Sequence, residues 1–340
     1  MANRGILLVN LGSPDSPSVS DVRRYLNEFL MDKYVIDLPW FVRRLIVSLF
    51  VLPSRPAKSA KAYQSIWTED GSPLVQISKA FAQQIQSHTN MPVELAMRYG
   101  KPDLKTALIN LNKNTELEEI LLFPLYPHYA MSTIKTVVEK VESLGKILDV
   151  KANIRVHPIF YDHQDYIQAL VDSAEPQLSQ PYDHLVFSYH GVPERHIKKD
   201  DNTGSHCLQS KDCCQKASTA HKTCYRHQVY QTTECFVKAA DIPVDKYTVA
   251  FQSRLGKDKW LEPNTLDILE KLAKQGNKRV LVICPSFVAD CLETLEEIGI
   301  AAQESFINAG GESLELIPCL NTHPSWVKTV SGWLEQPLIG

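Results

Sequence analysis

The chain of 340 residues has no run of roughly 18 uncharged apolar residues, so nothing in it reads as a membrane-spanning helix. It has no excess of positive charge. Lys and Arg number 36 against 39 Asp and Glu, a formal net charge of −3, which gives no broad electrostatic case for nucleic acid. The opening segment MANRGILLVNLGSPD lacks the length and the small-residue cleavage site of a secretory signal. It reads as a first strand, and the chain is expected in the cytoplasm. The eight cysteines are then expected to be reduced thiols or metal ligands rather than disulfides. What is present is a globular composition, 44% hydrophobic and 22% charged, on a length that suits two domains.

Apolar runs closed by Gly and Pro alternate with helical periodicity. Gly5 to Asn10, Val93 to Met97, Glu119 to Phe123 and Arg155 to Pro158 read as strands. Helices are expected from a Ser18 or Ser20 cap through Met31, over Leu74–Ser87 and Leu104–Leu111, from a Ser132 cap through Val141, and over Gln164–Ala174. Alternation of this kind argues for parallel sheet covered on both faces. The pattern then recurs. HLVFSYHGVP at 184–193 echoes GILLVNLGSP at 5–14, with Gly and Pro in register, and RVLVICPSFVADCLETLEEI at 279–298 echoes EILLFPLYPHYAMSTIKTVV at 119–138. The expectation is two similar α/β domains, each a doubly wound, Rossmann-like parallel sheet, with a cleft between them. Their bounds are taken as 1–155 and 156–318, with a C-terminal helix in 319–340 that packs back on the first domain.

One segment stands apart. VIDLPWFVRRLIVSLFVLP, residues 35–53, is strongly apolar, broken by Pro39, and carries Arg43 and Arg44. It reads either as a core helix or as an interfacial patch whose arginines meet lipid headgroups. The basic run after it, with Arg55, Lys58 and Lys61, is either a solvated helix face or a place for carboxylates of an acidic ligand.

The chemistry gathers at two strand ends. In LVFSYHGVPERH an apolar run stops at Gly191 and Pro193, which leaves His190 where a buried strand emerges. An imidazole there can take a proton or hold a metal near neutral pH. After the strand Arg279–Cys284 comes SFVADCLETLEEI, read as a helix from about Val288 with Ser286 as its cap. Asp290, Glu293 and Glu297 would share one face of it. Open α/β sheets place ligands at this carboxyl edge. His190 and Glu293 there could exchange protons with a substrate or share a borderline-soft divalent metal such as ferrous iron. A plain solvated acidic face is the alternative.

FSYHGVPERH, FQSRLGKDKWLEP and SFVADCLETLEEI together, with LLVNLGSPD and RPAKSAKAYQSIW, resemble the ferrochelatases over nearly the whole chain. The resemblance implies the chelatase fold and a lyase that inserts Fe2+ into protoporphyrin IX, the last step of haem biosynthesis, with release of two protons and no organic cofactor. It implies that His190 and Glu293 are the catalytic, iron-meeting pair, with Glu297 and Asp290 as a proton or metal conduit. Arg55, Lys58 and Tyr63 match the mouth of the porphyrin pocket, and Arg98, Trp260 and Phe287 match its walls. The segment 35–53 matches an apolar lip that rests on a membrane, so peripheral contact at the inner face of the cell membrane is expected.

Between the His motif and FQS lie Cys207, Cys213, Cys214 and Cys224, four of the eight cysteines within 18 residues. In a cytoplasmic protein such a cluster suggests metal ligation. Some ferrochelatases carry a [2Fe-2S] cluster on four internal cysteines, and the resemblance implies one here. Cys213 and Cys214 are adjacent, so Cys235 could stand in for one of them. Zinc, with His206, His221 or His227, is the competing ion. Other readings of the whole chain are a coproporphyrin ferrochelatase, a chelatase for another tetrapyrrole, or a non-catalytic haem, metal or iron–sulfur sensor module.

Overall fold

A computed structural model describes residues 3–254, 256 and 258–336. The chain divides into two compact units. The first comprises Met1–Tyr126, Met131–Pro158 and Val330–Gly340, and the second comprises Pro127–Ala130 and Ile159–Thr329. This division falls inside the helix Pro324–Glu335.

The first unit is built on a parallel sheet of β1 (Arg4–Ser13), β2 (Val93–Gly100), β3 (Glu119–Pro124) and β4 (Asn153–Val156), in the order β2-β1-β3-β4. The second repeats it with β5 (His184–His190), β6 (Tyr247–Gln252), β7 (Arg279–Ile283) and β8 (Ser313–Leu316), in the order β6-β5-β7-β8. The echo between 5–14 and 184–193, and between 119–138 and 279–298, is therefore an equivalence of central strands, β1 with β5 and β3 with β7. It extends further than the sequence suggests. In each unit the segment after the third strand contains a π-helical turn, Met131–Lys135 in one and Glu297–Ala302 in the other.

The central strands are covered on both faces, which is why they read as unbroken apolar runs. Ile6–Val9, Ile120–Phe123 and Leu185–Phe187 are fully buried. Glu119 is the buried exception at the start of β3. It is paired with Arg4 (Nε to Oε1, 2.6 Å), whose Nη1 also donates to the Leu334 carbonyl at 2.9 Å, fastening the chain's last helix to this sheet.

Two helix starts differ from the sequence reading. Ser132 caps nothing, because it lies inside the π-helical turn Met131–Lys135. The helix expected from Val288 begins only at Leu292, with Cys291 as its N-cap. Residues 284–291 are held as a loop by a hydrogen-bonded knot at Asp290, and Ser286 is committed elsewhere.

The segment 35–53 forms the helix Trp40–Ile46 and then the π-helical turn Val47–Val51. Ile36 and Val47 face inward, whereas Trp40, Phe41, Leu45, Leu49 and Phe50 are 54–70% exposed. Only one of the two arginines is placed to meet a headgroup, since Arg43 is turned inward and Arg44 is exposed. Arg43 is buried and donates to the carbonyls of Ile36 and Leu38, at 3.1 and 2.9 Å, left over where Pro39 breaks the backbone pattern. Arg44 donates to Asn27 Oδ1 at 2.7 Å.

Candidate active site

His190 is the last residue of β5, at the strand whose neighbours β6 and β7 lie on opposite sides of it, the position where sheets of this order change direction. Its Nδ1 lies 2.6 Å from the Gly191 carbonyl. A carbonyl can only accept, so this contact assigns the proton to Nδ1 and makes Nε2 the basic position of the ring. Phe287 packs edge-on against the imidazole, with centroids 6.3 Å apart.

Gly191 has no room for a side chain. A Cβ there would stand 2.9 Å from the Gln252 carbonyl, 3.0 Å from that of Ser253 and 3.3 Å from Trp260 Cε3. The chain turns out of β5 pressed against the end of β6, and Trp260 is held alongside by a bridge to Pro193.

Gln252 organises this edge, and it was not singled out from the sequence. It is the β6 partner of His190 and is buried. Its carbonyl accepts from the Gly191 N–H at 2.7 Å, its Oε1 accepts from the Ser188 hydroxyl at 2.7 Å, and its Nε2 donates to the Glu293 carbonyl at 2.6 Å. One amide side chain thus joins the strand that ends in His190 to the short helix Leu292–Leu295 that carries Glu293. The signal was an amide closing the apolar run TVAF, where a buried polar group must have partners.

Ser253, next to it, has φ of +58°, a left-handed conformation that costs a non-glycine residue free energy. Its hydroxyl donates a short hydrogen bond to Glu297 Oε2. Glu297 is half-buried. Burial, then the charge of Glu293, pushes its carboxyl up to about 7 against the lowering effect of the Ser253 bond.

Asp290 does not share the helix face expected of it with Glu293 and Glu297. It lies ahead of the helix, is buried, and both its oxygens are taken. Oδ1 accepts from the Thr294 hydroxyl (2.9 Å) and Oδ2 from the Asn321 amide (2.7 Å). It ties the loop 284–291 to the segment after β8.

The remaining pocket residues fall in the first unit. Arg55 and Lys58 are exposed on the helix Arg55–Ile66, while Tyr63 on the same helix is buried edge-on to Tyr25 and Trp67. Arg98 is not a free cation. It forms a short ion pair with the buried Asp32, donates to Thr136 Oγ1 at 2.9 Å and stacks on Tyr99 at 4.4 Å.

The cysteine segment forms a second site in the second unit. Cys207, Cys213, Cys214 and Cys224 are all buried free thiols. The neighbouring Cys214 thiol, and after it the Cys207 thiol, holds the Cys224 sulfur below the usual thiol range. Arg226 Nη1 lies 3.4 Å from Cys214 Sγ and 3.6 Å from Cys213 Sγ, and the Leu208 N–H donates to Cys213 Sγ at 3.4 Å. Asp201 accepts from the N–H groups of His206 and Cys207, at 2.8 and 2.7 Å, and so shapes the loop.

Cys235 stands outside this nest. The charges that act on its thiol are those of Asp162, Glu234 and Lys238. It sits eleven residues along the helix Tyr225–Ala239 from the Cys224 cap, about three turns away. The histidines engage backbone: His206 Nε2 lies 2.8 Å from the Cys213 carbonyl and His227 Nδ1 2.8 Å from that of Cys214. Among the described residues no group of three or more His, Cys, Asp or Glu side chains is arranged to hold a metal ion. What the segment does offer is soft donors: four buried thiols, with the Arg226 guanidinium and the Leu208 N–H turned towards the sulfurs of Cys213 and Cys214.

The two parallel sheets place this chain among proteins of the chelatase fold. SirB from Bacillus subtilis with Fe3+ matches with a TM-score of 0.55 at 12% identity, over 98% of this chain and 94% of that one. The sirohydrochlorin chelatase SirB from Bacillus subtilis subspecies spizizenii in complex with cobalt matches at 0.53 and 11%, over 96% and 92%.

Sequence gives the particular family. The Ferrochelatase family model matches residues 3–338. Proteins named Ferrochelatase from Pseudomonas fluorescens (strain Pf0-1) and Pseudomonas entomophila (strain L48) are each 52% identical over 338 residues, which is 99% of this chain and 98% and 100% of theirs. The chain belongs to the ferrochelatase family, and is a metal-chelatase lyase of haem biosynthesis.

Proposed function

We propose that the chain inserts Fe2+ into protoporphyrin IX at the carboxyl edge of its second sheet. A porphyrin resists metal entry because its nitrogens lie in the ring plane and two carry protons. Insertion needs a base for those protons and a donor that brings the ion to the nitrogens. His190, with Nδ1 tied to Gly191 and Nε2 basic, is the base. Glu293 meets the ion, and Glu297, poised near neutral pH, accepts a proton from the Glu293 side. The observation that carries this reading is the Gln252 amide, which links the β5 end bearing His190 to the backbone of Glu293. Trp260 and Phe287 supply apolar faces for the macrocycle in the second unit. Arg55 and Lys58, exposed in the first, have the chemistry that carboxylates such as propionates require. Arg98 acts by holding its strand to Asp32 rather than by meeting substrate.

The exposed apolar face of Trp40, Phe41, Leu45, Leu49 and Phe50 favours the less polar protoporphyrin over coproporphyrin, and peripheral contact with the inner face of the cell membrane. The cysteine nest would hold a [2Fe-2S] cluster through Cys207, Cys213, Cys214 and Cys224. Such a cluster supplies one-electron redox chemistry when bound. Because the neighbouring histidines engage carbonyls, an all-thiolate set is favoured over zinc with mixed Cys and His ligands.

Anaerobic ferrous insertion into both porphyrins tests the reading. His190→Ala and Glu293→Ala should each abolish insertion with the fold intact, and appreciable turnover in either removes that residue from the chemistry. A colourless protein with stoichiometric zinc and no sulfide would remove the cluster.

A further inference from the structure

The cysteine nest and the catalytic edge meet through one residue. Cys224 is the N-cap residue of the helix Tyr225–Ala239, and its carbonyl accepts from the Gln228 N–H at 3.1 Å, so what holds Cys224 in the nest bears on where that helix begins. Tyr225, the first residue of the helix, is buried. Its hydroxyl lies 2.8 Å from the His190 carbonyl and 2.8 Å from Ser286 Oγ. A phenol has one proton and a carbonyl only accepts, so that proton goes to His190 and the Ser286 hydroxyl donates in return. His190 ends β5. Ser286 follows β7 and precedes Phe287, the ring that packs on the His190 imidazole. One phenol thus pins both strand ends that carry the site. The helix grips β5 again at Thr233, whose hydroxyl lies 2.7 Å from the Tyr189 hydroxyl. His128 stands edge-on to the Tyr225 ring at 5.8 Å and limits its movement.

We propose that Tyr225 is a positioning residue that makes the placement of His190 depend on the integrity of the cysteine nest. While the four sulfurs are held together, the helix start is fixed and the phenol holds the His190 and Ser286 backbones in place. When the nest opens, Cys224 and the helix start that follows it are released, the phenol withdraws, and both strand ends lose their common anchor. The proposal rests on the reading of His190 as the base.

The test compares the full chain with Tyr225→Phe, Cys224→Ala and the double variant, by amide hydrogen exchange over residues 189–192 and 284–287, by insertion kinetics, and by iron, sulfide and zinc content. Tyr225→Phe should keep the metal and sulfide content of the wild type, exchange faster in both segments, and lower kcat about tenfold with KM for porphyrin little changed, the scale of a broken buried hydrogen bond. Cys224→Ala, which removes the sulfur without supplying a new cap, should open the same two segments, and the double variant should exchange no faster than Cys224→Ala alone. Wild-type exchange in both segments of Tyr225→Phe, or opening of Cys224→Ala confined to residues 201–224, overturns the coupling. His190→Ala tells the two readings apart. It should abolish insertion with both segments still protected. Full turnover in His190→Ala removes the base but leaves the anchor to be judged by exchange alone.

Discussion

Glu297 offers a measurement that depends on the geometry of the site and not on turnover. Burial, and after it the Glu293 charge, raises its carboxyl from an ordinary 4.5 to about 7. Below 4.5 the folded and unfolded chains both hold the proton, and the group contributes nothing to pH dependence. Between 4.5 and 7 the folded protein keeps a proton that the unfolded chain has lost, so stability falls as pH rises, by about 1.4 kcal/mol per unit. Above 7 both are ionised and the loss is complete, about 3 kcal/mol in all. Glu297→Gln does not titrate and should lack this slope, so it should gain on the wild type as pH passes from 5 to 8. In chelator-treated protein labelled with carboxyl-13C glutamate, one resonance should titrate near neutrality, vanish in Glu297→Gln and move to lower pH in Glu293→Gln. If every glutamate titrates in the ordinary range, or if urea unfolding of wild type and Glu297→Gln shows the same pH dependence, the coupling of these two carboxyls at the strand edge is wrong.

Gly191→Ala drives a Cβ against the backbone of β6 and against Trp260, and should cost about 1–3 kcal/mol of stability along with most of the activity. Asp32→Ala leaves the half-buried Arg98 guanidinium without its counter-charge, a loss of up to about 3 kcal/mol that thermal unfolding will register. Phe41→Ser with Phe50→Ser removes two side chains each 70% exposed. Stability should change by less than about 0.5 kcal/mol per site, while sedimentation with phospholipid vesicles should fall, and unchanged sedimentation removes the membrane reading. Arg226→Met withdraws the cation from the Cys213 and Cys214 sulfurs, and should lower retention of iron and sulfide on purification while leaving insertion by the retained fraction intact.

The strands were legible because a strand buried on both faces can hold only apolar residues, and Gly or Pro had to close each one. Register of Gly12 and Pro14 with Gly191 and Pro193 was enough to show that the pattern repeats. The place of His190 at a strand's exit was legible, and so was a short helix bearing Glu293 after the strand Arg279–Ile283.

What escaped depends on partners distant in sequence. Asp290 sits three residues from Glu293, the spacing of a shared helix face, yet Asn321 draws it into a loop. Arg43 looked like a headgroup contact until the orphaned carbonyls before its helix claimed it. Arg98 showed no sign of its counter-charge, because Asp32 lies far back in the chain. Gln252 shows locally only that an amide closing an apolar run needs partners, and Tyr225 shows nothing, since the groups they satisfy lie on other strands and loops. Periodicity and punctuation are local and can be read along the chain. The satisfaction of a buried polar group is a question of which other group reaches it, and only the folded arrangement decides that.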